Sequence, residues 1–540
     1  MKRFIFSLLV LCVLSVSLLA IPARRGAMTI MQPDGTQITA YLHGDEFFHY
    51  YTSDNGQLLE QGDDGFYRAT TMPSADEMCA RAARSPRRIA KQQKEVGVST
   101  NLAPRGLIIL VNFSNLSFKT SVAEMDSMLN GLNYTRNYSY FYSGMRVSVK
   151  SSGSARQYFH DTSFGQYNPV FDVVGPVTLS QKHSYYGGND NNGEDKNAEQ
   201  MIKEACELVD PDVDFSIYDN NHDGKVDFVY VIYAGYGEAD GGGKDYIWPH
   251  NYELTASNVT CMVDDVQVDN YACSNEIDYA SKQHNGIGTF CHEFSHVLGL
   301  PDLYTTNDAT HKTMGMWDIL DYGPYNNDGN TPPHYSAYER FYMGWLKPTV
   351  VNKGCSIQLS ALGASNVAVL LTASGEHNLS GLTPNPSTFY MLENRQNTGW
   401  DAHLPGHGLL ITKIAFSQSK WIGNTVNNSK RSMGVDIIEA DGEAPTYDKD
   451  DYENGYFGKA GDAYPSGATS FTQLTEFQVK DIQEKNGVIQ FKVNEGGEEI
   501  QLSVEEAELP KVSSVRKVMC NGQILIEHNG KYYNLLGNRQ

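Results

Sequence analysis

The sequence is short of basic residues for its size. Among 540 residues, Lys and Arg number 42 against 64 Asp and Glu, which gives a formal net charge of −22. A nucleic-acid-binding surface needs Lys and Arg in excess, so this balance argues against a nucleic-acid partner. The acidic excess is typical of an exported soluble protein, and surplus carboxylates are also ligands for Ca²⁺.

Long apolar runs are scarce as well. Only the N-terminal stretch MKRFIFSLLVLCVLSVSLLAI approaches the ~20 apolar residues that a membrane-spanning helix needs. Lys2 and Arg3 precede the run and Ala20 follows it, which predicts a removable signal peptide over residues 1–20. An uncleaved membrane anchor is the alternative. After cleavage we expect no permanent membrane span and a secreted or cell-surface protein.

Cysteine is sparse, with eight residues in the chain. Cys12 leaves with the signal peptide and Cys79 lies in a predicted pro-segment, so six remain in a compartment where thiols can pair. Cys261 and Cys273 flank a hairpin-like stretch and are the first choice for a disulfide. Free buried thiols explain the sequence equally well.

Composition divides the rest of the chain into four parts. Residues 21–98 combine short β-prone segments with a basic linker, CARAARSPRRIAKQQKEVG, and we interpret them as a small α+β pro-domain. An ordinary interdomain linker is the alternative. Residues 99–346 follow a strand–helix–strand order that predicts an α/β domain. Short alternating strands over residues 347–497 predict an all-β, sandwich-like region, and residues 498–540 a tail with one β-hairpin.

The stretch FCHEFSHVLGLPDLY, residues 290–304, contains the candidate metal ligands. On a helix, His292 and His296 lie about 40° apart and Glu293 about 100° from His292, opposite an apolar sector. Two imidazoles four residues apart bind one cation, and the glutamate between them reaches a bound water. Gly299 ends the helix, and the turn returns Asp302 as a third ligand. The alternative is a solvated His/Glu helix face with Asp302 in a surface turn.

A second cation loop is predicted in DNNHDGKVD. Asp219, Asn221 and Asp223 occupy alternate positions, Lys225 offers a backbone carbonyl, and Asp227 follows. Oxygen ligands at this spacing around a glycine bend suit Ca²⁺, although the bidentate glutamate of an EF-hand is missing. We therefore predict a structural calcium site, with a metal-free turn as the alternative.

The metal helix resembles the active-site segment of the M6 (immune inhibitor A-like) family of secreted bacterial metalloproteases. Five further segments, spread over about residues 100–470, are similar to that family: GSARQYFHDTSFGQYNPVFDVVGPVTL, DFSIYDNNHDGKVDFVYVIYAGYGEA, IWPHNY, MGMWDILDYGPYNN…YSAYERFYMGWL and YMLENRQNTGWDAHLPGHGLLI. The resemblance implies a metzincin-like domain, a zymogen form, and zinc held by His292, His296 and Asp302 with Glu293 as general base. Glu339 is an alternative third ligand.

The chain departs from the metzincin pattern below the metal. The segment WDILDY has Leu320 where that pattern has a methionine, followed by Tyr322. Because that methionine packs and does not ligate, leucine is a tolerable replacement. Tyr322 is either a catalytic group that hydrogen-bonds the oxyanion or a buried tyrosine. His250 is either on the cleft rim or packed.

The sequence therefore predicts a secreted zinc endopeptidase, made as a zymogen, that cleaves proteins and peptides with a zinc-bound water activated by Glu293. Its own pro-domain is the expected inhibitor, with Cys79 as a candidate for the open zinc position. The alternative is a calcium-stabilised surface or adhesion protein with a non-proteolytic protease-like domain.

Overall fold

The computed structural model describes residues 21–82, 104–142, 145–190, 193–448, 450–503, 516–520, 523–528 and 531–533. The predicted signal peptide and most of the basic linker lie outside these residues. Within them, no helix combines the length and apolar character needed to span a membrane.

The chain begins with a five-stranded antiparallel sheet in the order β1-β2-β3-β4-β5. Ala40 and Leu42 of its second strand are fully buried and pack with Trp248 of the next region. The sheet and its helix are β1 (Ala27–Met31), β2 (Gln37–Asp45), β3 (Phe48–Thr52), β4 (Leu58–Gln61), β5 (Tyr67–Thr70) and α1 (Ala75–Ala82).

The second region is a mixed α/β unit around a sheet in the order β11-β14-β10-β6-β9. Four of these strands are parallel, and β11 pairs antiparallel at the edge. The mixed α/β character predicted from the sequence is confirmed, whereas the metzincin-like detail stays a prediction. Its strands are β6 (Arg105–Asn112), β7 (Asn137–Tyr142), β8 (Met145–Lys150), β9 (Val170–Thr178), β10 (Val229–Tyr233), β11 (His250–Glu253), β12 (Cys261–Val263), β13 (Val266–Val268) and β14 (Asn270–Asn275).

Helices cover both faces of this sheet. On one face, α6 packs through Phe290 and Phe294, whose rings contact Phe171 and Phe228 at centroid distances of 4.7–5.4 Å. The apolar sector predicted for this helix thus faces the sheet. The helices are α2 (Val122–Asn130), α3 (Ala155–Thr162), α4 (His183–Tyr186), α5 (Ala198–Val209), α6 (Gly288–Val297) and α7 (Ala337–Tyr342).

The third region consists of two sheets, ordered β15-β17-β18-β19-β20 and β21-β22-β16-β23, that share one apolar core. The last strand of the second sheet, β23, pairs parallel with β16. The strands are β15 (Thr349–Val350), β16 (Cys355–Leu359), β17 (Val369–Leu371), β18 (Thr388–Arg395), β19 (Gly408–Ala415), β20 (Val435–Ile437), β21 (Val479–Lys485), β22 (Val488–Val493) and β23 (Glu498–Leu502).

Short helices and a small terminal sheet complete the fold. The helices are α8 (Leu362–Ser365), α9 (Gln418–Ile422) and α10 (Asp451–Asn454), and the sheet is β24 (Arg516–Cys520), β25 (Gln523–His528) and β26 (Lys531–Tyr533). Single 3₁₀ turns occur at Asp210–Asp212, Phe215–Tyr218, Leu254–Ser257, Gly315–Trp317, Gly323–Tyr325, Gly399–Asp401 and Ala460–Asp462.

The cysteines do not pair as first expected. Cys261 and Cys273 are both free buried thiols. Cys261 is hydrogen-bonded to Cys206 of α5, and this contact together with burial raises the pKa of the Cys206 thiol. Cys273 instead lies 3.6 Å from His250 Nδ1.

Candidate metal centre

The helix α6 ends where the sequence predicts. Gly299 adopts a φ of 93°, a left-handed conformation that glycine tolerates, and its N–H donates to His296 O at 2.9 Å. The chain reverses through Leu300 and Pro301 and returns Asp302 to the helix. A local sequence signal therefore places all three predicted ligands at one point.

The three ligand atoms form a nearly equilateral triangle. His292 Nε2 and His296 Nε2 lie 3.1 Å apart, and Asp302 Oδ1 lies 3.3 Å from each of them. Within the described residues, these three form the group of His, Cys, Asp and Glu side chains that could hold a metal ion. Zinc ligands in tetrahedral geometry lie about 3.3 Å from one another, so the triangle fits zinc.

All three side chains are buried. His292 and Asp302 are 0% and 1% exposed and His296 is 4% exposed, which rules out the solvated helix face. Asp302 Oδ1 is buried and has no hydrogen-bond partner in the described part of the chain. A buried carboxylate oxygen without a donor is costly, and a cation at the centre of the triangle would satisfy it.

Hydrogen bonds from the surrounding chain fix each ligand. His292 Nδ1 donates to Ile319 O at 2.7 Å and His296 Nδ1 donates to Leu300 O at 2.9 Å, which leaves both Nε2 atoms for a metal. Asn424 holds Asp302 from the other side: its Nδ2 donates to Oδ2 at 2.6 Å, and its Oδ1 accepts from the Asp302 N–H at 2.8 Å.

The electrostatics favour positive charge at this point. Burial lowers the pKa of His292, but the contact with Asp302 and the charge of Glu293 outweigh it and raise the pKa to about 9. Burial raises the pKa of Asp302, but the two imidazoles outweigh it and hold the pKa well below its usual range. The residues present therefore fit a divalent cation.

Glu293 lies one residue beyond the first ligand and is fully buried. Its Oε1 accepts a hydrogen bond from the backbone N–H of Ile21 at 2.9 Å. Ile21 is held in turn by Trp248 Nε1, which donates to its carbonyl at 3.0 Å, and Tyr325 OH donates to Pro22 O at 2.6 Å. The start of the described chain thus occupies the space beside the predicted general base.

The remaining candidates around the metal have other partners. Glu339 Oε2 accepts from the Ser336 N–H at 2.6 Å in a capping box, and the metal cluster contains Asp302 in its place. Tyr322 is buried against Phe457, and its hydroxyl accepts from Arg25 Nε at 3.0 Å. Its catalytic role stays a prediction.

Two further candidates lie away from the triangle. His250 is 2% exposed, with its ring nitrogens 2.7 Å from Trp248 O and 2.9 Å from Tyr271 OH, which is the packed alternative. Cys79 lies on α1 as a free thiol and is not part of the metal cluster.

The predicted calcium loop is closed by its own hydrogen bonds. Asp219 accepts from the N–H groups of Asp223 at 3.1 Å and Gly224 at 2.9 Å, and Asp223 accepts from the Lys225 N–H at 2.9 Å. Asp227 Oδ2 accepts from Asn220 at 2.6 Å. These carboxylates do not converge as the ligands around His292 do, so calcium binding stays a prediction.

Three groups at the centre had no recognisable signal in the sequence. Asn424 lies 122 residues after Asp302, and the Ile319 carbonyl carries no side-chain signal. Ile21 follows directly after the predicted signal peptide and shows no sign of a role at the metal. None of these follows a spacing rule, because each reaches the site through tertiary folding.

A mixed α/β domain whose helix carries His-Glu-His, with an aspartate closing the ligand triangle, defines the metallopeptidase class. Residues 91–346 match the family model described as immune inhibitor A peptidase M6, catalytic domain. Over these residues, somewhat less than half of its length, the chain is similar to the M6 family of metallopeptidases.

Two curated relatives agree with this assignment. The chain is 28% identical over 221 residues to the pre-pro-metalloprotease PrtV of Vibrio cholerae, a match that covers 35% of this chain and 23% of PrtV. It is 28% identical over 215 residues to immune inhibitor A of Bacillus thuringiensis subsp. alesti, covering 35% of this chain and 31% of the relative. The chain thus matches less than a third of the length of these relatives.

Proposed function

We propose that this protein is a secreted zinc-dependent endopeptidase, made as a zymogen, that hydrolyses peptide bonds in proteins. The ligand triangle carries the proposal: three buried ligand atoms 3.1–3.3 Å apart, with a buried glutamate beside them. The M6 domain model and the two relatives, one named a pre-pro-metalloprotease and the other immune inhibitor A, support it.

Different residues of the chain are proposed to bind the metal, transfer the proton and stabilise the oxyanion. His292, His296 and Asp302 hold the metal, which when bound supplies a Lewis acid that polarises the peptide carbonyl and acidifies a water. Glu293 accepts a proton from the attacking water and returns it to the leaving amine. Tyr322 is proposed to hydrogen-bond the developing oxyanion once Arg25 has left its hydroxyl.

The Glu293→Gln variant tests this division. We expect it to retain one zinc per chain, because the triangle is untouched, and to lose nearly all casein hydrolysis. Asp302→Ala should lose both zinc and hydrolysis. His160→Ala, at an exposed histidine of α3, is the matched control and should keep both. Wild-type turnover by Glu293→Gln would rule the mechanism out.

Latency is the second part of the proposal. The segment from Ile21 to Arg25 lies against Glu293 and Tyr322, so the N-terminal region of 21–98 is proposed to block the site until it is removed. The full-length exported chain should hydrolyse casein far more slowly than the chain trimmed within the basic linker. Equal activity of the two forms would show that this region is not inhibitory.

A non-proteolytic surface protein is the competing assignment. It predicts no chelator-sensitive hydrolysis from any form of the chain, trimmed or not. Hydrolysis of casein that stops with a zinc chelator and returns with added zinc would exclude it. The calcium loop is proposed as a structural site that stiffens the entry to β10.

A further inference from the structure

Arg24 lies in an acidic pocket of the α/β region. Its guanidinium forms ion pairs with Asp278 and Asp328, and the carboxyl group of Asp240 is a third acidic neighbour. The pocket is well enclosed, since the side chains of Asp278 and Asp328 are only 4% and 5% exposed. The Arg24 side chain is 23% exposed, so it enters the pocket from the surface.

The carboxylates are positioned by the α/β region itself. Asp278 Oδ1 accepts from the Ser281 N–H at 2.6 Å, and the hydroxyls of Tyr138 and Tyr140 donate to Asp328 at 2.8 and 3.1 Å. Asp240 Oδ2 accepts from Asn275 Nδ2 and the Tyr279 N–H at 3.1 and 3.2 Å. The pocket is therefore built without help from the segment that fills it.

Arg24 has more acidic neighbours than a single ion pair needs. Burial and the neighbouring charge of Asp278 raise the pKa of Asp240 to about 8, so this carboxyl is mostly protonated at neutral pH while Asp278 and Asp328 pair with the guanidinium. The Oδ1 atom of Asp240 is buried and lacks a hydrogen-bond partner among the described residues. Two carboxylates and a third carboxyl group around one arginine exceed what a structural ion pair requires, which points to a site that binds cations.

The pocket adjoins the catalytic helix. Arg24 and Ile21 line one small cavity of about 20 Å³ with Thr289, which lies one helical turn before Glu293. Ile21 and Arg24 are three residues apart in the chain. Three residues of extended chain span at most about 11 Å, so the Cα atoms of these two residues lie no farther apart than that. The Arg24 N–H also donates to Ala239 O at 2.7 Å, a backbone contact of the kind that extended peptides make with a receptor.

We propose that Asp240, Asp278 and Asp328 form a specificity pocket for an arginine or lysine side chain of the substrate, which Arg24 occupies in the latent chain. This inference rests on the proposed endopeptidase function. Ile21 N contacts Glu293, the group that returns a proton to a leaving amine, so it stands where the new amino group of a cleaved substrate would lie. A substrate on the same path places its basic residue fourth after the cleaved bond.

The binding part is tested on the full chain without any proteolysis. Arg24→Ala empties the pocket, and ethylguanidinium should then raise the Tm of that variant while its neutral isostere N-ethylurea does not. Arg68→Ala removes an exposed arginine of β5 that pairs with Asp64 and is the matched control. An equal response of the two variants to ethylguanidinium would overturn the pocket.

The specificity part is tested on the trimmed enzyme with peptides that carry one arginine or the neutral isostere citrulline. Hydrogen bonds to charged groups predict about 10- to 100-fold higher kcat/KM for arginine at the fourth position after the cleaved bond. Asp278→Asn should reduce that ratio. Asp212→Asn, at an exposed aspartate, should keep the ratio.

The outcomes separate the two proposals. Hydrolysis of both peptides at equal rates overturns the specificity pocket and leaves the endopeptidase standing, with Arg24 serving only as an anchor for the pro-segment. Absence of hydrolysis, with ethylguanidinium still bound by Arg24→Ala, overturns the endopeptidase and with it the assignment of the pocket to substrates.

Discussion

Asn424 offers a sharp test of how the metal centre is held. It belongs to the β-rich region, and both of its side-chain amide atoms contact Asp302, at 2.6 and 2.8 Å. Replacing it with glycine removes both hydrogen bonds. Glycine accepts the left-handed φ of 48° at this position, so backbone strain adds nothing to the effect.

The magnitude follows from the two bonds. A hydrogen bond to a charged group contributes about 1.5–3 kcal/mol and one between neutral groups about 0.5–1.5 kcal/mol, so the variant should lose about 2–4 kcal/mol of stability. Partners that orient a metal ligand are worth about 10- to 100-fold in metal affinity. We therefore expect zinc affinity to fall by that factor, with His292 and His296 intact.

The assay is zinc competition against a chromophoric chelator, together with thermal unfolding of zinc-free and zinc-loaded protein. Asn366→Gly is the matched control, because Asn366 has a φ of 50° and its side chain bonds Arg340 and Trp345. The control should lose stability without losing zinc affinity. Equal zinc affinities in the two variants would refute the role of Asn424.

Three further predictions follow from the same structure. Calcium added to chelator-stripped protein should release heat and raise the Tm, and Asp219→Asn should weaken both; no heat and no shift would end the calcium proposal. Gly299→Ala should cost about 1–2 kcal/mol of stability and also lower zinc affinity, whereas Gly56→Ala, at a similar φ of 75°, should cost stability alone. Burial raises the pKa of Asp321 to about 7, so the folded state binds more protons than the unfolded state and stability should decline between about pH 4 and 7 and level off above. Asp321→Asn should flatten that decline by up to about 1.4 kcal/mol per pH unit in chemical unfolding, and a parallel pH profile would contradict the assignment.

Local patterns predicted the parts of the site that are close in sequence. The helix over α6, its end at Gly299 and the return of Asp302 depend on spacing, glycine conformation and amphipathicity, all of which are visible in fifteen residues. The strands β6 and β10 were visible as continuous apolar runs. The mixed α/β class follows from their order.

Contacts between distant segments were not predictable in this way. Arg24 and Arg25 follow the export signal in the sequence and look like its basic flank, yet they reach Asp278 and Tyr322 more than 250 residues away. The three aspartates of the pocket follow different elements of the α/β region, so no spacing connects them. The calcium site stays a prediction, because Asx turns and calcium loops use the same residues.

The β-rich region is part of the metal centre and not an appendage to it. Asn424 bonds Asp302, Asn427 Nδ2 donates to Leu303 O at 2.7 Å, and the Thr306 N–H donates to Asn428 Oδ1 at 2.8 Å. One apolar core also continues from α6 into β18, β19 and α9. The end of the family match at residue 346 therefore marks where sequence similarity stops, while the packing that holds the third ligand continues for at least another eighty residues.

A chain that ends at residue 346 would keep both histidines and the aspartate but lose the groups that orient the aspartate. We expect such a chain to expose apolar surface and to bind zinc more weakly than Asn424→Gly, and equal affinity would show that the β-rich region does not hold the site.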